Sequence, residues 1–588
     1  MPTNQFQTSY RAQIVSADKV WKVKTPSHLT PKLALETGLS PLQAQLLINR
    51  GMTDSGSALS FLKLSLADMV DPMLFKGMDD ALMLIREAAD NKDRITIFGD
   101  YDADGLTATA LLYNFFSSFD LPVFYYIPNR LEEGYGLNKK AVETIGKNGT
   151  GLIITVDCGT SHERETALAQ SLGMKIVVTD HHQAPENFRP NCPVINPHQP
   201  GCPFPFKDLA GVGVGFFLAV AVRADLRERG WFKTRPEPDL KEYLDLVALG
   251  TVADRVRLMG QNRILVNSGV ETLVGTRWAG MKALMEVANL QDSEIMAEDL
   301  AFRLAPRLNA PGRIGDPDIA IQLLTSHEPI SAKNFALRIN AANSKRQSIE
   351  RVIFDRIEDM LETRGGVKDR RTLFLGAEDW HKGVLGIVAS RLVDKYYRPS
   401  LVFNIQDGLA VGSGRSIDGF NLFRALSQFS QLFEKFGGHA HAAGFTVKTE
   451  SLKALEKDLE SLACEMLGDE DLVPAIDVDG ELPFQDITSE TVHQLRALSP
   501  FGEGNPEPVF LARSVEALES RVVGERHLKF RVRQAGEGRP LDAIGFGMAD
   551  EHPLEGKTID MVFTPELNRW QGVESLQLRV VDLKEQKN

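Results

Sequence analysis

Residues 95–105 read ITIFGDYDADG, an apolar run that ends in aspartates at 100, 102 and 104. The run has the length and composition of a buried strand. Carboxylates crowded at alternate positions at its C-terminal end repel one another and disfavour their own ionisation. A hard divalent cation removes that cost, because it takes oxygen ligands and cancels the charge. Gly105 permits a tight turn, and LTATALLYNFF continues with helical apolar spacing. Strand, carboxylate turn and helix define the edge of a parallel α/β sheet, where such sheets collect ligands.

The pattern repeats downstream. VFYYIP (123–128), GLIITVDCG (151–159), KIVVTDHH (175–182) and PVIN (193–196) are strand candidates, with helical patterns between most of them. Such alternation predicts a parallel sheet covered on both faces. Before it, residues 1–40 are polar and irregular, a short helical segment runs to about 65, and 66–90 carries the pattern of an amphipathic helix. A helix at 213–229 and the apolar segment EYLDLVALGTVADRV (242–256) follow the strands. Residues 260–365 are helical by period, and Ser331 to Glu362 has the charge and lack of breakers of a long exposed helix. A second, smaller α/β unit starts at TLFLGA (372–377) and ends at GFTV (444–447). The last region is β-rich, and its five short strands suit a small barrel of the OB type. The expected fold is therefore multidomain α/β. Its expected parts are an N-terminal extension (1–65), a metal-binding parallel-sheet domain (66–270), a helical connector (271–365), a smaller α/β domain (366–450) and a C-terminal barrel domain (451–588).

Three more segments of the first unit end a strand or helix on residues of ligand type. IITVDCG ends on Asp157, VVTDHHQ presents Asp180, His181 and His182, and LVALGTVADRV ends on Asp254. One aspartate at a strand end is most often a helix cap or turn former. Four such placements in one α/β domain, among them D-x-D-x-D and D-H-H, instead predict a metal centre. Several carboxylates with one or two imidazoles suit Mn²⁺ and admit Mg²⁺. So many acids suit two ions about 3.5–4 Å apart, sharing one carboxylate.

Charge and cysteine usage narrow the class. With 43% hydrophobic and 25% charged residues and no apolar run long enough to span a bilayer, a globular chain with no membrane role is expected. The formal net charge is −13, which argues against a general polyanion binder. Basic residues nevertheless cluster at 303–313 and 338–351, so a local basic groove is compatible with the acidic total. The four cysteines, 158, 192, 202 and 464, form no C-x-x-C pair, so neither a zinc knuckle nor a disulfide framework is indicated. The opening MPTNQFQTSYRAQIV lacks the layout of a signal peptide, and a cytoplasmic location is expected.

G-D-Y-D-A-D-G, V-D-C-G, D-H-H and the later A-D, in that order, resemble the signature of the DHH phosphoesterase superfamily. GRSIDGFNL (414–422) and FGGHAHAAGF (436–445) resemble its substrate-binding DHHA1 domain. With RLAPRLNAPGRIG (303–315) and the C-terminal barrel, the chain is similar to the RecJ family of bacterial single-strand-specific DNA exonucleases from about 60 to 580. The resemblance implies metal-dependent, in-line phosphodiester hydrolysis by two ions, Mn²⁺ or Mg²⁺. It implies 5′-mononucleotides released 5′ to 3′ from single-stranded DNA, in recombination, mismatch and excision repair. A monomer working beside a single-strand-binding protein and a DNA helicase is the family expectation.

Carried over residue by residue, the resemblance implies Asp102, Asp104, Asp157, His181 and Asp254 as metal ligands, with Asp157 bridging. Asp100 and Asp180 are expected in support. His182 is expected at the scissile phosphate or orienting a ligand, against a purely structural hydrogen bond. Arg307, Asn309 and Arg313 form a candidate anion cluster suited to a terminal phosphate. Arg130 and Tyr135 lie in a loop expected near substrate, with Tyr135 stacking on a base or packed in a turn. Ser390, Arg391, Arg415 and Ser416 are candidate phosphate contacts. Gly437, Gly438 and His439 suggest a loop whose amides face an anion. In the barrel, His527, Lys529, Phe530, Arg531, Arg533 and Trp570 are candidate DNA contacts. If the catalytic and 372–447 domains flank a narrow groove, only an unpaired strand would thread it. The alternative is a phosphodiesterase of the same superfamily acting on short oligonucleotides or cyclic dinucleotides. A catalytically dead scaffold in replication or repair is a third reading, opposed by the presence of every ligand-type residue.

Overall fold

The computed structural model describes residues 19–130, 133–291, 294–534, 538–570 and 573–586, with the backbone alone at 569, 570 and 573. The opening residues of the N-terminal extension and the Trp570 side chain thus lie outside the described residues. The chain divides into two compact units. One comprises Leu59–Arg346 and Ser499–Pro506; the other comprises the described parts of Met1–Ala58, Gln347–Leu498 and Glu507–Asn588. The first strand, β1 (Val20–Val23), belongs to the latter.

The unit around 59–346 is built on five parallel strands. These are β2 (Ile95–Gly99), β3 (Val123–Tyr126), β4 (Leu152–Val156), β5 (Lys175–Thr179) and β6 (Val194–Ile195), in the order β3-β2-β4-β5-β6. Every residue of β2 and β4 is buried, as expected of strands covered on both faces. β3 and β4 flank β2 on opposite sides, so the strand order reverses between β2 and β4. That crevice, beyond the C-terminal ends of the strands, is where open α/β sheets bind ligands. The helices Ala103–Ser117, Gly211–Glu228 and Leu244–Ala253 cover the sheet, and their apolar residues join its core. That core continues through Leu284, Leu300, Leu308 and Ile321 to Ile339, so the helices after 270 bury their apolar faces in it.

The expected helix over 66–90 is shorter. Only Met78–Asn91 is α-helical, preceded by single 3₁₀ turns at Leu66–Asp68 and Pro72–Leu74. Ser65 and Asp71 cap those turns, Pro72 supplies no amide to a continuous helix, and Gly77 adopts φ +85°. The chain bends three times where period alone suggested one rod. Pro329–Thr363, in contrast, is one helix of 35 residues, about 52 Å long.

In the other unit, β7 (Leu373–Ala377), β8 (Ser400–Gln406), β9 (Leu409–Arg415), β10 (Phe433–Gly438) and β11 (Ala442–Lys448) form a mixed sheet. Its order is β10-β11-β9-β8-β7. β12 (Ala475–Val478) pairs in parallel with β1, and the Trp21 indole donates to Asp582 at 2.7 Å. The N-terminal region, expected to be irregular, therefore holds a strand and the helix Thr30–Thr37. The short β13 (Gly480–Glu481) leads into the barrel strands β14 (Phe510–Val523), β15 (His527–Gln534), β16 (Leu541–Gly545), β17 (Thr558–Trp570) and β18 (Val573–Glu585). They pair in the order β14-β15-β16-β18-β17, and β17 returns to β14, which closes the barrel. This is a five-stranded OB-type barrel.

Candidate metal centre

The C-terminal ends of β2, β4 and β5 carry the acidic and histidine residues. Asp102 caps the helix Ala103–Ser117: its Oδ1 accepts from the amides of Asp104 and Gly105 at 3.0 and 3.1 Å. Gly105 is not a turn residue but lies in that helix's first turn, where a Cβ would sit 2.6 Å from the Asp100 carbonyl oxygen. Asp104 points inward. Its oxygens accept from Gly211 N at 2.6 Å and Val212 N at 2.8 Å, the amino end of the helix Gly211–Glu228. A helix amino end favours a carboxylate there. Gly211 also packs on Asp157, since a Cβ would lie 2.7 Å from the Asp157 Cβ. Asp157, just beyond the central strand, holds the left-handed φ of +59°.

His181 Nε2 stands 3.1 Å from Asp157 Oδ1, 3.6 Å from Asp254 Oδ2 and 4.0 Å from Asp104 Oδ2. This nitrogen is buried and has no hydrogen-bond partner. Burial, with the charge of His182 beside it, pushes the His181 imidazole down to about 4. The ring is therefore neutral, and its bond to the Leu209 carbonyl leaves Nε2 as a lone pair. A lone pair facing three carboxylates is repulsive until a cation sits among them. Asp100 Oδ1 is likewise buried without a partner.

The carboxylates register the same conflict. Burial and the charge of Asp102 raise Asp104 to about 7 and hold Asp100 well above the usual range. Asp157 is pushed far up by burial and by Asp104, and Asp254 reaches about 9 from burial and Asp104. Among the described residues three sets of donor atoms, each within 4.8 Å of one another, suit a metal: Asp100, Asp102 and Asp157; Asp104, His181 and Asp254; and Asp157, His181 and His182. Asp157 is common to the first and third sets, so two adjacent cation positions would share it. The oxygen-rich donors with one neutral imidazole fit hard divalent ions. Asp100 thus stands among the candidate ligands as well as beside them.

Asp180 is placed differently, with its oxygens already engaged. Oδ1 accepts from His181 N, His182 N and His182 Nδ1 at 2.8, 3.1 and 2.7 Å, and Oδ2 from Thr160 N at 2.9 Å. Burial opposes its ionisation, but these bonds, His182 foremost, hold it well below the usual carboxylate range. In return, Asp180 outweighs the burial of His182 and lifts it to about 9. Asn196 ties this loop down, donating to Thr160 Oγ1 at 2.8 Å and to the His182 carbonyl at 2.9 Å. The contributions of Asn196, Thr160 and the Gly211–Val212 amides were not read from the sequence. PVIN and GVGVG carried the only signals, a polar residue at a strand end and glycines opening a helix.

Arg307, Asn309 and Arg313 all lie on the helix Ala305–Ile314, and the partners of Arg307 and Asn309 differ. Arg307 is bonded to Asn340 Oδ1 and to the carbonyls of Arg303 and of Val287, the last residue of the helix Ala279–Val287. Asn309 Oδ1 accepts from Ala103 N at 2.7 Å and so braces the aspartate turn. Arg313 and Arg130 act on the half-buried Tyr101 phenol, with the Arg130 guanidinium 5.1 Å from that ring. Tyr135 is 46% exposed, yet its hydroxyl donates to the Asp157 carbonyl.

In the other unit, Ser390 Oγ donates to the Gly386 carbonyl, and Arg391 bonds Glu350 at 3.1 Å over the Phe354 ring. Arg415 donates to Ser413 Oγ and the Gly414 carbonyl, and the buried Ser416 donates to the Phe420 carbonyl. Gly438 ends β10, and the His439 amide donates to Ala442 at 2.8 Å. The expected anion loop is thus the turn of a β-hairpin with that amide engaged, because β10 and β11 pair through it. In β15, alternation buries Phe530 inside the barrel and turns Lys529, Arg531 and Arg533 outward. Phe530 is therefore core and not a stacking surface, while Arg531 and Arg533 face Glu519, Asp542 and Glu516.

Comparison with known proteins agrees with this geometry. Residues 94–251 match the DHH family N-terminal domain, 370–465 the DHHA1 domain and 478–582 the RecJ OB domain. The chain is 38% identical over 569 residues to the single-stranded-DNA-specific exonuclease RecJ of Bacillus subtilis (strain 168), covering 96% of this chain and 70% of that protein. It is 38% identical over 572 residues to RecJ of Dickeya dadantii (strain 3937), covering 94% and 98%. The crystal structure of RecJ from Thermus thermophilus in complex with Mn²⁺ aligns with a TM-score of 0.81 at 28% identity, over 97% of this chain and 80% of that one. From these matches and the aspartate–histidine centre, the chain belongs to the RecJ family of single-stranded-DNA-specific exonucleases.

Proposed function

We propose that this protein is a metal-dependent exonuclease that degrades single-stranded DNA 5′ to 3′ to 5′-mononucleotides, in recombination and repair. The observation that carries the reading is the buried, neutral His181 Nε2 held among Asp157, Asp254 and Asp104. Asp102, Asp104, Asp157, His181 and Asp254 would hold the ions, with Asp157 shared and Asp100 adding its unpartnered oxygen. Bound Mn²⁺ or Mg²⁺ supplies Lewis-acid stabilisation of the phosphoryl oxygens and activation of water.

The chain's own residues supply the rest. The Gly211 and Val212 amides fix Asp104, and Asn309 fixes the turn that carries it. Asp180 keeps His182 protonated and oriented, so it presents a donor to the substrate phosphate. Arg130 and Arg313, which act on Tyr101 of the aspartate turn, are assigned to the DNA backbone. Arg415, His439 and the outward cations of β15 are assigned weaker roles along the strand. The DHHA1-type and OB-type domains support a polymeric substrate over a small one. Cytoplasmic action beside a single-strand-binding protein and a helicase completes the reading. Among the described residues no helix is long and apolar enough to cross a membrane.

The test is product analysis on a long single-stranded oligonucleotide labelled at either end, with Mn²⁺. Mononucleotides should appear first from the 5′ end, duplex should persist, and Asp157→Ala should be inactive. Preferential hydrolysis of dinucleotides or cyclic dinucleotides would overturn the reading in favour of a small-substrate phosphodiesterase.

A further inference from the structure

Tyr135 stands in the sequence EGYG between Gly134 and Gly136, which are left-handed at φ +82° and +74°. A Cβ on Gly136 would lie 2.5 Å from His162 Nε2, so the turn keeps its shape only with glycine there. Its effect is to aim one hydroxyl at the metal centre. That hydroxyl donates to the main-chain carbonyl of Asp157 at 3.1 Å. The same oxygen lies 3.2 Å from His182 Nδ1 and 3.3 Å from Nε2. The two rings meet edge to face with centroids 5.6 Å apart.

Both partners need holding. Asp157 sits at φ +59°, where a residue with a side chain persists only if its surroundings impose it. His182 is held on one edge by Asp180 Oδ1 at 2.7 Å from Nδ1. A phenol has one proton to donate. With that proton on the Asp157 carbonyl, the Tyr135 oxygen rests against the His182 ring, nearly equidistant from its two nitrogens.

We infer that Tyr135 is a positioning residue whose hydroxyl locks the Asp157 backbone and the His182 ring to each other. This role is distinct from stacking on a base, which needs the ring and not its oxygen. The inference rests on the nuclease reading above, and it deepens that reading by adding a residue that acts through two others.

Tyr135→Phe and Tyr135→Leu, compared with wild type on a single-stranded oligonucleotide in Mn²⁺, separate the possibilities. If the hydroxyl positions the centre, Tyr135→Phe lowers kcat by about 10–100-fold, as expected for partners of metal-site residues. KM should stay within about twofold, because uniform substrate binding is untouched. Tyr135→Leu should show the same loss, and both variants should melt with wild type. Tyr135→Phe with wild-type kcat, or with a raised KM alone, would overturn the inference. A crystal structure of Tyr135→Phe gives a second readout independent of turnover: His182 should leave its present orientation, and an unmoved His182 overturns the inference. If wild type itself releases no nucleotides, the nuclease reading fails, while the structural readout still reports on Tyr135.

Discussion

Asp254, raised to about 9, carries a proton at neutral pH when no ion is present, and Asp104, raised to about 7, does so in part. A divalent ion must displace those protons, so binding releases them and grows stronger as pH rises through this range. Calorimetric titration with Mn²⁺ at pH 6 and pH 8, in buffers of different ionisation enthalpy, should find about 1–2 protons released and an affinity roughly tenfold or more higher at pH 8. An affinity independent of pH would show that these carboxylates are not displaced. Single residues were unevenly legible. Asp102, Asp157 and His181 were chosen because each follows an apolar strand, and the strand ends bring them together. Asn309 was chosen for a phosphate, and its Oδ1 braces the Ala103 amide. An amide side chain satisfies either partner, and nothing local says which one the fold will present.

The same uncertainty governs elements. The fully buried strands β2 and β4 were plain from their apolar runs, because a strand covered on both faces needs no alternation. The stretch 66–90 misled because its period continues across Pro72 and Gly77, where the backbone cannot. The helix Gly211–Glu228 shows what period omits altogether, since its amino end anchors Asp104 while Gly211 seats against Asp157. Gly211→Ala would place a methyl 2.7 Å from the Asp157 Cβ, closer than such atoms approach. The expected outcome is a loss of nuclease activity of about tenfold or more with weaker Mn²⁺ binding, since overpacking of this kind costs about 1–3 kcal/mol locally. Equal activity and equal Mn²⁺ affinity in Gly211→Ala would show that the contact relaxes without consequence.

For the molecule as a whole, a net charge of −13 must be reconciled with a polyanionic substrate. The outward cations of β15 are largely balanced by Glu516, Glu519 and Asp542. On the proposed reading, binding depends on a few local groups, Arg130 and Arg313 among them, and not on the overall field. Affinity for single-stranded DNA should still fall steeply with salt, with a log–log slope of about −2 to −4 if three to five phosphates are contacted. Fluorescence anisotropy between 50 and 300 mM salt reads this directly, and a flat response would exclude backbone tracking. The closed barrel was legible as a β-rich region and the mixed sheet as part of a smaller α/β unit, but the pairing of β1 with β12 was not. Their residues are separated by most of the chain, and no local pattern encodes a partner so distant.

Residue types and their spacing were enough to establish that this chain forms a parallel α/β sheet with a carboxylate–imidazole centre at its strand ends. Both are local consequences of apolar runs and of the turns that end them. Folding in three dimensions settled which donors are free and which are engaged. Asp180 is consumed by its own loop, Asp100 keeps one buried oxygen without a partner, and Tyr135 turns its oxygen onto Asp157 and His182. Those outcomes depend on amides and hydroxyls delivered from remote segments. Hydrogen-bond satisfaction is a property of the packed molecule, not of any stretch of its sequence.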